Sequence, residues 1–122
     1  MKKLVLSILT LLCFTACSTS NIQSIDGETV YTMIKNNEDF VLVDVRGQEE
    51  YDEGHIPTAV LIPLDTIETD FETMIPEKNK KIVIYCRSGN RTKTAYEKIT
   101  ELGYTDVYDL GGILDWQYDI EK

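Results

Sequence analysis

The residues able to do chemistry gather in one stretch, Tyr85-Cys86-Arg87-Ser88-Gly89-Asn90-Arg91, which joins a thiol to two guanidinium groups, a hydroxyl, an amide and a glycine. Ile82 to Tyr85 before it reads as a short apolar strand, and Thr92 to Leu102 after it as an amphipathic helix. A thiol at a strand end facing a helix N-terminus lies among backbone N–H groups and the positive end of a dipole. That setting favours the thiolate, the nucleophilic form of cysteine. The competing reading is an inert cysteine closing a core strand, and the polar, glycine-containing loop argues against it.

The elements that must position this loop come from a chain of 122 residues, enough for one domain and too short for two. Its formal net charge of −9 argues against nucleic acid or an anionic membrane surface as a direct partner. Against that acidic background, Lys78, Lys80, Lys81, Arg87, Arg91, Lys93 and Lys98 face only Glu97 between positions 78 and 98. The pattern predicts that the cysteine loop is where an anion is welcome.

The first residues read as an address. Lys2 and Lys3 form a basic start, and Leu4 to Phe14 is an apolar run far shorter than the roughly 20 residues needed to cross a bilayer. Ordinary cleavage after Ala16 would want a small residue where Phe14 stands; Phe14-Thr15-Ala16-Cys17 instead resembles a bacterial lipobox, departing from it at Phe14. The expected organisation is a lipoprotein signal over 1–16, a lipidated Cys17 with a polar tether over 17–24, and a domain over 25–122. Cys13 then leaves with the signal and Cys17 carries lipid, so Cys86 is the single free thiol and no intramolecular disulfide forms.

Along the domain, Asp26 caps a helix whose apolar positions are Val30, Met33 and Ile34 and which Asn36-Asn37 ends. Phe40 to Val45 is an apolar strand, Gln48 to Glu53 a short helix ending at Gly54, and Val60 to Ile62 a second strand closed by Pro63. Asp65 and Glu68 have capping-box spacing before a helix marked by Ile67, Phe71, Met74 and Ile75. After the cysteine strand and its helix, closed by Gly103, Val107 to Leu110 forms a last strand and Ile113, Trp116, Gln117 and Ile120 outline a final helix. Such alternation predicts an open, mostly parallel α/β sheet with helices on both faces. Ligands of these sheets bind beyond the carboxyl ends of the strands, where Asp44 and Cys86 both fall.

Asp44-Val45-Arg46, Glu50-Tyr51, Gly54-His55-Ile56-Pro57, Ile62-Pro63, the Cys86 loop, Gly103-Tyr104, and Leu110-Gly111-Gly112-Ile113 before Trp116 follow one another in an order that resembles a single-domain rhodanese, a sulfurtransferase. The resemblance covers the chain from about Ile25 onward. It implies a rhodanese-like fold, no metal and no cofactor, and a monomer. It also implies that Cys86 takes sulfur from a small anion such as thiosulfate, holds it as a persulfide and gives it to a thiol or cyanide. Arg87, Ser88, Gly89, Asn90 and Arg91 then form the substrate-binding loop, with Asp44, Arg46 and His55 in support. Arg46 is expected to pair with Glu49 or Glu50, and Arg91 either to bind the donor or to pair with Asp44. Thr58 stands where the family usually has glycine, and Trp116 is expected in the core beside Ile113 and Ile120. Four residues separate Cys86 from Arg91; dual-specificity phosphatases and arsenate reductases have one more, so the shorter loop favours sulfur over phosphate-like chemistry. A sulfur-relay or binding module with a protein acceptor is the alternative.

The expected location is the bacterial cell envelope, outside the cytoplasm, held to a membrane by lipid alone. Membrane fractionation checks this: Cys17→Ala should abolish acylation and release the chain to the soluble fraction, whereas unchanged acylation would refute the anchor.

Overall fold

The computed structural model describes residues 21–122, so the signal segment and Cys17 lie outside the described residues. The elements are α1 (Gly27–Lys35), β1 (Val41–Asp44), α2 (Gln48–Glu53), β2 (Val60–Leu61), α3 (Ile67–Met74), β3 (Ile82–Cys86), α4 (Arg91–Glu101) and β4 (Val107–Gly112). The four strands form one parallel sheet in the order β2-β1-β3-β4. β3, which delivers Cys86, is therefore an inner strand, and all five of its residues are buried.

Strand side chains alternate between two cores, as a period of two requires. Val43, Val45, Ile82, Ile84 and Cys86 join α3 and α4 on one face through Ile67, Phe71, Ala95 and Ile99. Leu42, Val83 and Tyr85 join Val30 and Met33 of α1 on the other. Helices thus cover both faces, and Asp44 lies level with Tyr85, one residue before the thiol.

Most helix ends follow their sequence signals. Asp26 Oδ1 accepts the Thr29 N–H at 2.8 Å, and Gly103, with φ of 104°, closes α4 by the paired Gly103-to-Thr100 and Tyr104-to-Ile99 bonds of a Schellman turn. Two expectations are corrected. Asp65 does not cap α3: Leu64–Thr66 forms a single 3₁₀ turn leading into Ile67, and Thr66 makes no side-chain cap bond to the helix.

The final helix is also absent among the described residues. Only Ile113–Asp115 makes a 3₁₀ turn, after which the chain extends and Glu121 exchanges both backbone bonds with His55 at 2.8 Å. A helix so short gains little by itself, whereas the extended path lets Tyr118 stack on Tyr31 of α1 with ring centres 4.1 Å apart. Trp116 packs against the α1 side of the core as expected, but Ile120 stays half exposed. At the other end, residues 22–25 run along β4, with Asp109 bonded to both Gln23 and Ile25. Thr58 keeps the left-handed turn that its usual glycine would make, at φ of 75°, a conformation that costs an L-residue roughly 1–2 kcal/mol.

Behind the carboxyl edge lies a closed polar network. Arg46 donates through Nε and Nη2 to the Asp44 carboxylate at 2.7–3.0 Å and through Nη2 to the Gly54 carbonyl at 2.7 Å. The Tyr85 hydroxyl donates to Asp44 at 2.9 Å and accepts the Ile56 N–H at 3.1 Å. Burial, and then the Asp44 carboxylate, push the Tyr85 phenol far above its ordinary value, so it stays a donor. Tyr85→Phe leaves the Ile56 N–H and one Asp44 oxygen short of a partner in the interior. The expected loss is roughly 1–3 kcal/mol in urea unfolding; a loss within error of zero would show that the network does not hold the edge.

Candidate active site

Three local features build the loop after β3. First, Gly89 takes φ of 99°, a left-handed turn that glycine adopts without cost, and this brings its own N–H to Cys86 Sγ at 3.1 Å. Second, α4 begins directly at Arg91 without a side-chain cap from Asn90, so its first-turn N–H groups face the loop. Thr92 Oγ donates to the Gly89 carbonyl at 3.0 Å and fixes the turn to the helix start.

Third, β4 makes room. A bulge shifts its register between Ile84 and Tyr85, so that Gly111 meets Tyr85 and Gly112 meets Cys86. Asp109 holds the bulge by accepting the Gly111 N–H at 2.8 Å and the Lys93 ammonium at 3.0 Å. A Cβ on Gly112 would lie 2.3 Å from the Arg87 carbonyl and 2.7 Å from Ser88 Cα. The loop therefore lies directly on the Gly112 backbone, and the Leu114 N–H donates to Arg87 O at 3.2 Å beside it.

The sulfur sits at the base of this loop, with Cys86 1% exposed and Arg87, Ser88 and Asn90 exposed around it. Of the residues singled out in the sequence, Cys86 to Arg91 are brought together here. Asp44 and Arg46 stand at the same sheet edge, tied to each other. Arg46 does not pair with Glu49 or Glu50, and Arg91 does not pair with Asp44: Arg91 grips Glu50 instead, with two bonds of 2.9 Å. His55 lies in the turn after α2, stacked on Tyr51 at 3.7 Å with Nδ1 2.9 Å from the Tyr51 carbonyl, and its described partners do not include the loop.

The positive charge read along the sequence is largely spent by the fold. Lys78 pairs with Glu72, Lys80 with Asp39, Lys93 with Asp109 and Lys98 with Glu68. Lys78, Lys80 and Lys81 precede β3 and so lie at the end of the strand away from Cys86. Among the described residues, Arg87 is the loop cation without an ion pair. Anion attraction at the loop thus rests on Arg87 and on backbone N–H groups.

The sequence matches the family described as the rhodanese-like domain over residues 26–119. The chain belongs to that family. It is 37% identical over 73 residues to the thiosulfate sulfurtransferase PspE of Escherichia coli, covering 60% of this chain and 70% of PspE. A sulfurtransferase of Allochromatium vinosum is 38% identical over 96 residues, covering 78% of this chain and 88% of that one. Among solved structures, the BH2092 protein of Bacillus halodurans superposes with a TM-score of 0.74 at 34% identity, over 81% of this chain and 76% of that one. A rhodanese from E. coli, solved with anions, gives 0.63 at 34% identity over 67% and 96%.

Within this rhodanese-like domain, Gly112, Asp109 and Glu50 carry parts of the site that spacing arguments did not assign. The Gly111-Gly112 pair after Asp109 was the available signal, since adjacent glycines in a strand mark a bulge or close backbone approach. Glu50 is held down to about 2, chiefly by the Arg91 guanidinium. A carboxylate lowered on folding stabilises the fold above its unfolded value, near 4.5, and loses that contribution as pH falls toward 2. The urea-midpoint gap between the parent and Glu50→Gln should therefore be widest near about pH 6 and close toward about pH 2; a constant gap would contradict the ion pair.

Proposed function

We propose that Cys86 is the nucleophile and sulfur carrier of this chain, which is a rhodanese-type sulfurtransferase. The Gly89 N–H at 3.1 Å from Cys86 Sγ, in a loop closed against Gly112, is the observation that carries the assignment. It marks where backbone donors stabilise negative sulfur, whether thiolate or the outer atom of a persulfide.

The donor is a thiosulfate-like anion, as the name of PspE indicates for that relative. The Cys86 thiolate attacks the outer sulfur of thiosulfate; a new S–S bond forms as the donor's S–S bond breaks, and its electron pair leaves with sulfite. An acceptor thiolate or cyanide then attacks the outer persulfide sulfur, and the pair of the Cys86 S–S bond returns to Cys86 as thiolate. Each half-reaction passes one neutral sulfur atom and requires no metal and no redox cofactor. Arg87 and the first N–H groups of α4 receive the anionic oxygens, while Gly89 N–H holds the sulfur. A protein acceptor in place of a small thiol would leave these steps unchanged. The lipid anchor at Cys17 and the place outside the cytoplasm remain part of this proposal, supported by the order of basic, apolar and lipobox-like residues at the start of the chain.

Thiocyanate formation from thiosulfate and cyanide tests the assignment. Cys86→Ser should reduce turnover by at least about a thousandfold, because no other described thiol can form the covalent intermediate. Retention of more than about a tenth of the activity would remove Cys86 from the reaction.

A further inference from the structure

Arg91, the residue that ends the cysteine loop, and Glu50 of α2 form a fork-to-fork pair. Arg91 Nη1 donates to Oε1 and Nη2 to Oε2, each at 2.9 Å, and Oε1 also accepts the Gly47 N–H at 3.1 Å. Such pairing orients a guanidinium more firmly than a single contact does. It joins the start of α2 to the start of α4, the helix whose first turn closes the cysteine loop.

The pair forms one wall of a cleft of about 320 Å³, floored by Val45, Pro63 and Leu64. Arg46, the other cation there, is turned onto Asp44 and the Gly54 carbonyl. Asp65 adds a second carboxylate to the lining. An approaching dianion thus meets committed guanidiniums and two negative groups in this cleft. Arg87, exposed and unpaired among the described residues, is the accessible cation.

We propose that Glu50 is a positioning residue for sulfur transfer: it withholds Arg91 from the donor and clamps the start of α4, leaving donor recognition to Arg87 and the loop N–H groups. This rests on Cys86 being the sulfur carrier. Without the Glu50 charge, Arg91, which opens α4 at the end of the Cys86 loop, is released as a free cation. The donor is then held more tightly, sulfite leaves more slowly, and the loop loses its clamp. Binding and turnover therefore move in a pattern that general destabilisation does not produce.

Steady-state kinetics with thiosulfate and cyanide test this on the parent, Glu50→Gln, Arg91→Gln and the double variant. Glu50→Gln should lower both KM for thiosulfate and kcat by at least about threefold. Arg91→Gln should lower kcat while keeping KM within about twofold, and the double variant should share its KM. A rise in KM of about tenfold or more in Arg91→Gln would mean that the donor displaces Glu50 and takes Arg91, overturning the proposal. An unchanged KM in Glu50→Gln would overturn it too. Should Glu50→Gln fail to fold by circular dichroism, the KM of Arg91→Gln decides alone. Failure of the underlying reading is recognised separately: parent protein loaded with thiosulfate and freed of excess would then release no thiocyanate on adding cyanide.

Discussion

Everything at this site depends on how closely the chain after Cys86 lies on the end of β4. A sulfur proposed to attack a donor, carry a second sulfur and leave again as thiolate needs backbone N–H groups held at fixed distance, since these donors lose nothing to reorientation during reaction. Gly112 permits that closeness, because a single carbon added there would fall 2.3 Å from the Arg87 carbonyl. The bulge held by Asp109 places Gly112 level with Cys86, and the left-handed Gly89 turns its N–H back to the sulfur. The loop's shape is thus set by two strands and one helix together.

Charge is arranged around this loop in three ways with different consequences. Asp44 and Arg46 are buried and joined to Tyr85 and the Gly54 carbonyl. A network of that kind costs desolvation and repays it through full pairing, so its role is to fix the edge. Glu50 and Arg91 are about one-third exposed, so their attraction is screened while their fork geometry still orients the start of α4. Arg87 alone among the loop cations stays open to an incoming anion. In a chain of net charge −9, the fold pairs Lys78, Lys80, Lys93 and Lys98 with carboxylates, so the free positive charge left at the loop is that of Arg87.

Much of the fold was legible because apolar runs and caps are local signals. Ile82 to Tyr85, bounded by lysines and a polar loop, has few alternatives to a buried strand, and Asp26 caps the helix its position announces. The end of the chain was misread as a helix because Ile113, Trp116 and Ile120 have helical spacing; the stacking of Tyr118 on Tyr31 and the pairing of Glu121 with His55 are long-range contacts that spacing cannot carry. The same limit explains one of the ion pairs. That Arg91 meets Glu50 depends on the angle at which α2 and α4 leave the sheet, whereas Arg46 and Asp44, two residues apart, pair within a local turn at the end of β1. The Cys86 loop was legible because a strand end, a glycine turn and a helix start are local signals; Asp44 could be placed at the same sheet edge, but the contacts that Glu50 of α2 and Gly112 of β4 make with the loop could not, because they are long-range.

The central claim, that Cys86 holds transferred sulfur inside this loop, is tested most directly by the intact mass of the protein after exposure to thiosulfate and removal of excess donor. A gain of about 32 Da, one sulfur, is the predicted result for the parent, with none for Cys86→Ser. No gain in the parent, or an equal gain in Cys86→Ser, would contradict the account.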